Sequence, residues 1–348
     1  MTIQIKEVDR KYYEEKLKDF LPPRLIDFHT HIWLKDFRKE RLVINRGQNW
    51  PLLVAEESPI EELTQTYELM FPDKEVTPVI FGWPERDVNL DETNRYVSET
   101  SAQRHLPALL VCTPDWSAEE LTERVTAGNF LGLKPYLSWA PKDMPSGEIT
   151  IYDFLPKAHL EAADRGGWIV LLHIPRSARL KDPVNLKHML EIEETYPNLK
   201  LVIAHVGRAY CAEDVGNAME TLAQTRNMVF DISANTNAAV IQAALETFGP
   251  QRLVFGSDFP IVRMRMRRIC ENGVYINLVP PGVYGDLSGD PHMREVSAEE
   301  AEELSFFVYE NMYAFRKAAE KTGLTTKDVE DVFYNNAVRI LNSAGWTI

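Results

Sequence analysis

The 348-residue chain is 45% hydrophobic and 26% charged, a balance that supports a packed core and excludes wholesale disorder. Its formal net charge of -14 repels phosphate backbones and anionic membranes, so nucleic acid and membrane surfaces are not expected partners. Three cysteines, Cys112, Cys211 and Cys270, are odd in number and far apart, which argues against a disulfide framework or a zinc ribbon and points to a reducing cytoplasm.

The first twenty residues alternate charged and apolar side chains without the apolar segment of a signal peptide or membrane helix. Eight strand-like runs then follow in order: 25–32 (LIDFHTHI), 77–83, 106–112, 130–136 (FLGLKPY), 168–174 (WIVLLHI), 201–207 (LVIAHVG), 228–234 (MVFDISA) and 253–259 (LVFGSDF). They are nearly continuous in apolar residues, as parallel strands buried on both faces are. Helical patterns such as SAEELTERVTAG and NLKHMLEIEETY lie between them, and this alternation is the signature of βα units. The expectation is an α/β fold, a (β/α)8 TIM barrel formed as one domain over 1–348. An open doubly wound sheet competes, but no G-x-G-x-x-G turn follows the first run. Two connections are long, 33–59 and about 260–297, and in barrels such loops carry function. Amphipathic patterns over 298–322 and 325–343 predict additional C-terminal helices that cover the wall.

His29 and His31 are two positions apart, so in a strand they point to one side, and near the strand's carboxyl end that side can seat a metal ion. His173, His205 and Asp258 each interrupt an apolar run near its end. Polar groups brought together at one rim need partners, and a divalent metal supplies one. Nitrogen-rich ligation with a carboxylate suits Zn²⁺ first, with Mn²⁺, Co²⁺ and Fe²⁺ as alternatives. Asp27 shares the face of the two histidines but lies deeper, either orienting a ligand or filling a polar layer. His105, His159, His188 and His292 read as surface residues.

The motifs DFHTH, LLHIP, IAHVG, FGSDFP and FYNNAVRIL, in order over 25–343, resemble the amidohydrolase superfamily, in the branch of metal-dependent TIM-barrel hydrolases that includes nonoxidative decarboxylases. The resemblance implies one divalent metal held by His29, His31, His173 and Asp258. Asp258 would also accept a proton from water. His205 would act as acid or base beside a single metal or hold a second one. Lys134 carries three readings: substrate contact, structural charge, or a carbamylated bridge between two metals.

Arg176 and Arg208 each follow a site histidine by three residues, and guanidinium forks bind carboxylates. A small anionic substrate is therefore expected, although salt bridges to loop carboxylates explain either arginine equally well. The run VRMRMRR (262–268) could add to this positive field, but reads rather as a solvated helix face or subunit contact. Trp33, Trp83, Trp116, Tyr136 and Trp139 read mainly as loop packing, and Asn235 and Asn237 as hydrogen-bonding groups at the rim. The leading function is hydrolysis of an amide, lactone or ester of a small carboxylated molecule. The alternative is decarboxylation of a ring carboxylic acid, and a non-enzymatic binding barrel is the third reading. Oligomeric state is left open, a homo-oligomer included.

Overall fold

The computed structural model describes residues 3–39 and 50–347. All eight runs contain parallel strands: β1 (Arg24–His31), β2 (Glu75–Phe81), β3 (Leu110–Val111), β4 (Gly132–Lys134), β5 (Ile169–Leu172), β6 (Lys200–Ile203), β7 (Val229–Asp231) and β8 (Leu253–Val254). They form an α/β fold in which β1 pairs with β2 and a six-stranded sheet runs β3-β4-β5-β6-β7-β8. Hydrogen bonds span both gaps between these sheets. The Ile80 amide donates to the Pro107 carbonyl at 2.9 Å and Leu109 to Ile80 at 3.0 Å, while Phe28 donates to Phe255 at 3.0 Å and Asp258 to His29 at 2.8 Å. A register shift between Asp27 and Thr30 and prolines at 78 and 107, which have no amide hydrogen to donate, interrupt a regular ladder there.

The strands are filled on both sides. Phe28, Val79, Phe81, Leu133, Val170, Leu172, Val202 and Phe230 are all fully buried, each such side chain contributing about 1.5–3 kcal/mol relative to exposure. The ladders end sooner than the runs do. His173 lies one residue beyond β5, His205 two beyond β6 and Asp258 four beyond β8, because the backbone has left the sheet to turn these side chains over its carboxyl edge. Left-handed conformations gather at these exits, with φ of 58° at His205, 48° at Val206, 60° at Arg208, 50° at Ala234 and 73° at Asp258. Non-glycine residues in this region are uncommon and each is strained.

Three expectations change. First, the connection after β8 is not an unstructured loop: it contains β9 (Arg267–Glu271), β10 (Val274–Val279) and β11 (Met293–Glu295), joined in the order β11-β10-β9. The arginine run thus leads into a strand rather than forming a helix face. Its strict alternation has the period of a strand, and Asn272-Gly273, both at positive φ, is a hairpin turn signal. Second, Cys211 and Cys270 form a disulfide with Cα atoms 5.9 Å apart, against the expectation from their spacing. The turn after β6 and the end of β9 meet in space although 59 residues separate them, and the bond removes the cysteine argument for a reducing compartment. Third, the C-terminal pattern splits into Ala298–Ala301 and Phe307–Thr322, followed by Thr326–Glu330 and Asn336–Ser343. Part of the first long connection, 40–49, lies outside the described residues. No helix among the described residues is long and apolar enough to cross a membrane.

Candidate metal centre

At the carboxyl end of the sheet, donor atoms of His29, His31 and Asp258 lie within 4.8 Å of one another. Each histidine is oriented through its other nitrogen. His29 Nδ1 donates to Asp231 Oδ2 at 2.8 Å and His31 Nδ1 to the Gly82 carbonyl at 3.2 Å. Since a carbonyl or carboxylate can only accept, both rings carry their proton on Nδ1 and present an Nε2 lone pair. Those lone pairs face Asp258 Oδ1, at 3.5 Å from His29 and 3.3 Å from His31. Asp258, one-fifth exposed, is a carboxylate at neutral pH, as an ordinary carboxyl group is. Two imidazole lone pairs face a carboxylate with no imidazole proton between them, an arrangement that a cation resolves, with the Lys134 ammonium 3.4 Å from His29 Nε2. The residues therefore fit a divalent metal.

His205 stands beside this group, its ring 4.9 Å from that of His29. Its Nδ1 donates to Ser233 Oγ at 2.8 Å, whose hydroxyl in turn donates to Asp231 Oδ1. Asp231 also accepts the His205 amide at 2.7 Å and the Ser233 amide at 3.0 Å. One buried carboxylate thus positions both histidines. Although donor atoms of His29, His205 and Asp231 also fall within 4.8 Å of one another, Asp231 and His29 Nδ1 are spent on each other. Burial lowers the proton affinity of His29 and His205, keeping the rings neutral as ligands and bases must be.

His173, expected as a ligand, belongs to neither group. Its ring packs edge-on to His205 at 5.3 Å and against Tyr136 at 5.0 Å, and its Nδ1 is buried without a partner. Burial, and then the charge of Arg208, depress its protonation. Lys134 is fully buried, with Nζ 3.4 Å from His29 Nε2, so it faces the centre rather than solvent. Burial pulls it down to about 8 against the charges of Asp231 and Asp258.

Asp27 accepts from the Ser257 amide at 2.7 Å, the His29 amide at 3.3 Å and the Tyr67 hydroxyl at 2.8 Å. It ties β1 to the chain beyond β8 and touches no ligand imidazole. Burial raises its carboxyl to about 7 against these hydrogen bonds. Arg176 is turned to Asp182, 3.1 Å away, the carboxylate that caps the helix Pro183–Thr195. Arg208 Nη1 donates to the Pro175 carbonyl at 2.7 Å, bracing the chain after His173. Asn237 caps the helix Ala238–Phe248, and Asn235 bonds the Ala209 carbonyl, so neither amide is free at the rim. His159, expected at the surface, is buried against the Trp116 carbonyl at 2.7 Å.

Gly256 explains how the chain beyond β8 comes so close. A Cβ there would lie 2.8 Å from His29 Cβ and 3.3 Å from Ser233 Cβ. Gly256→Ala is expected to destabilise the protein by about 1–3 kcal/mol, read as a lower urea midpoint with unchanged slope. A midpoint equal to wild type would show that the close approach is not required.

Converging imidazoles and a carboxylate at the carboxyl ends of parallel strands define an α/β enzyme with a seat for a metal ion. The chain belongs to the amidohydrolase family: residues 26–271 match the family described as Amidohydrolase. It is similar in fold to an amidohydrolase from Burkholderia multivorans with bound zinc, at 14% identity over 91% of this chain and 99% of that one, TM-score 0.58. It is also similar to a probable 2-pyrone-4,6-dicarboxylic acid hydrolase from Acinetobacter baumannii with citric acid bound, at 14% identity over 91% and 99%, TM-score 0.53. A third similar structure is a 2,6-dihydroxybenzoate decarboxylase from Rhizobium, at 15% identity over 93% and 100%, TM-score 0.53. A search of curated proteins found no match.

Asp231 and Ser233 were missed at the sequence level, although Asp231 interrupts an apolar run as His173 and His205 do. The same criterion applied to MVFDISA would have found it.

Proposed function

We propose that the protein is a metal-dependent hydrolase of an amide, lactone or ester bond in a small carboxylated molecule, working at the mouth of an eight-stranded barrel closed through the Ile80 and Phe28 hydrogen bonds. The observation that carries this reading is the convergence of the His29 and His31 lone pairs on the Asp258 carboxylate. His29 Nε2, His31 Nε2 and Asp258 would hold the ion, Zn²⁺ first on this donor set. When bound, such an ion polarises a carbonyl and brings the pKa of water toward neutrality. Asp258 accepts the proton of the attacking water, being ionised and one-fifth exposed at the site. His205, neutral with its Nδ1 proton spent on Ser233, offers the Nε2 lone pair as a base: it takes the proton there from Asp258 and passes it to the leaving group. Lys134, with Nζ 3.4 Å from His29 Nε2, adds positive charge at the centre. Arg208, bonded to backbone carbonyls rather than to a carboxylate among the described residues, draws an anionic group toward His173.

Decarboxylation is the second reading, favoured by the likeness to the Rhizobium enzyme. The same residues serve it, His205 then taking a proton from water at Nε2 and delivering it to the ring carbon that loses carbon dioxide. Incubation of the zinc-loaded protein with 2-pyrone-4,6-dicarboxylate and with 2,6-dihydroxybenzoate separates the two. Hydrolysis predicts loss of pyrone absorbance without carbon dioxide. Carbon dioxide release from the benzoate overturns hydrolysis in favour of the second reading, and turnover unaffected by chelation overturns both.

A further inference from the structure

The arginine run after β8 distributes its charges unequally. Arg263 is paired with Glu62, Arg265 with Asp9 at 2.6 Å, and Arg267 lies 3.9 Å from Glu310. Arg268 has no carboxylate partner among the described residues. Its Nε donates to Asn277 Oδ1 at 2.8 Å and its Nη1 to the Ala234 carbonyl at 2.6 Å. The guanidinium lies 4.6 Å from the ring centre of Tyr210, 4.7 Å from Tyr275 and 4.6 Å from Phe307. Nη2 has no protein partner there, and it is not among the buried unpartnered atoms, so it opens to solvent.

This placement adjoins the metal centre. Ala234 follows Ser233, the hydroxyl that holds His205, and the Tyr210 ring is 6.5 Å from the His205 ring. The Cys211–Cys270 bond fixes the hairpin carrying Arg268 to the turn after His205. A half-buried guanidinium without a counter-ion is costly, and an aromatic collar offsets only part of that cost. Two of its three nitrogens are locked by the protein, which fixes the plane of the group and leaves one edge to recognise an anion.

We propose that Arg268 is a specificity-determining residue that receives a carboxylate of the substrate remote from the reacting bond. The proposal rests on the functional reading above and deepens it: the substrate would carry a second carboxylate, or another planar anionic group, beyond the part held at the metal centre. Burial lowers the proton affinity of Arg268, with the neighbouring Arg179 acting in the same sense and Asp258 against it.

The test uses the full-length zinc-loaded protein, with benzoate and benzene-1,3-dicarboxylate as calorimetric probes. Wild type is expected to bind the dicarboxylate at least about 10-fold more tightly than benzoate, and Arg268→Gln to weaken the dicarboxylate about 10- to 100-fold while leaving benzoate within about 2-fold. Arg268→Lys should restore part of the preference, which a purely structural role would not predict. Equal losses for both probes, an unchanged preference in Arg268→Gln, or no dicarboxylate preference in wild type would each overturn the assignment. Failure of the functional reading is distinguishable: the predicted split in binding without turnover of either ring substrate would leave Arg268 as an anion site and remove the hydrolase.

Discussion

Asp258→Asn is expected to lower turnover about 10²- to 10⁴-fold with little change in melting temperature. Asp258 is the one member of the converging group that carries a negative charge, and its carboxylate oxygens, facing both imidazoles, can accept a proton. An amide has the same shape but cannot accept one. Its NH₂ can donate to the His31 lone pair that now faces an anion at 3.3 Å, so the apo fold should not suffer. Steady-state kinetics beside a thermal melt decide the matter. Turnover within about 3-fold of wild type would remove Asp258 from the proposed role, since general acid or base catalysis rarely contributes so little.

The largest structural effect is expected at Asp231, which is fully buried. Its two oxygens accept from His29 Nδ1, the His205 amide, the Ser233 amide and the Ser233 hydroxyl. Asp231→Ala leaves these donors without partners and should destabilise the protein by about 3–5 kcal/mol, measured by urea unfolding. Asp231→Asn is the subtler test. An amide nitrogen facing His29 Nδ1 would need that nitrogen as an acceptor, moving the ring proton to Nε2 and closing the lone pair that faces Asp258. Zinc affinity should then fall about 10- to 100-fold by competition with a chelator. Undiminished zinc affinity in Asp231→Asn would mean that His29 Nε2 is not a ligand.

Most of the fold could be read from local patterns because buried parallel strands announce themselves as apolar runs, and each of the eight runs contains a strand. The residues that break those runs at their ends, His173, His205 and Asp258, do reach one edge of the sheet. Local patterns do not report which groups then pair across the sheet. Arg176 and Arg208 have the same offset from a histidine, yet Arg176 finds a helix-capping carboxylate and Arg208 finds carbonyls. Asp231 looked like one polar residue in a short run, and its importance follows only from three chain segments meeting on it. Lys134 was ambiguous for the same reason, until its complete burial beside His29 placed it at the centre. The disulfide and the hairpin after β8 depend on where a long connection returns, which spacing along the chain does not encode. The hairpin alone carried a usable local signal, in its alternation and its Asn-Gly turn.

Gly256 bears on how freely the sequence of this site can drift. It contributes no ligand, proton or charge, yet the chain beyond β8 rests against His29 only because nothing projects from that position. A substitution there displaces the imidazole that Asp231 orients and that faces Asp258, so three chemically active positions answer to one with no chemistry. Variation at 256 is therefore coupled to variation at 29, 231 and 258: a larger residue becomes tolerable only if the strand spacing changes with it. Tolerance in this part of the molecule follows the distance between backbones rather than the reactivity of side chains.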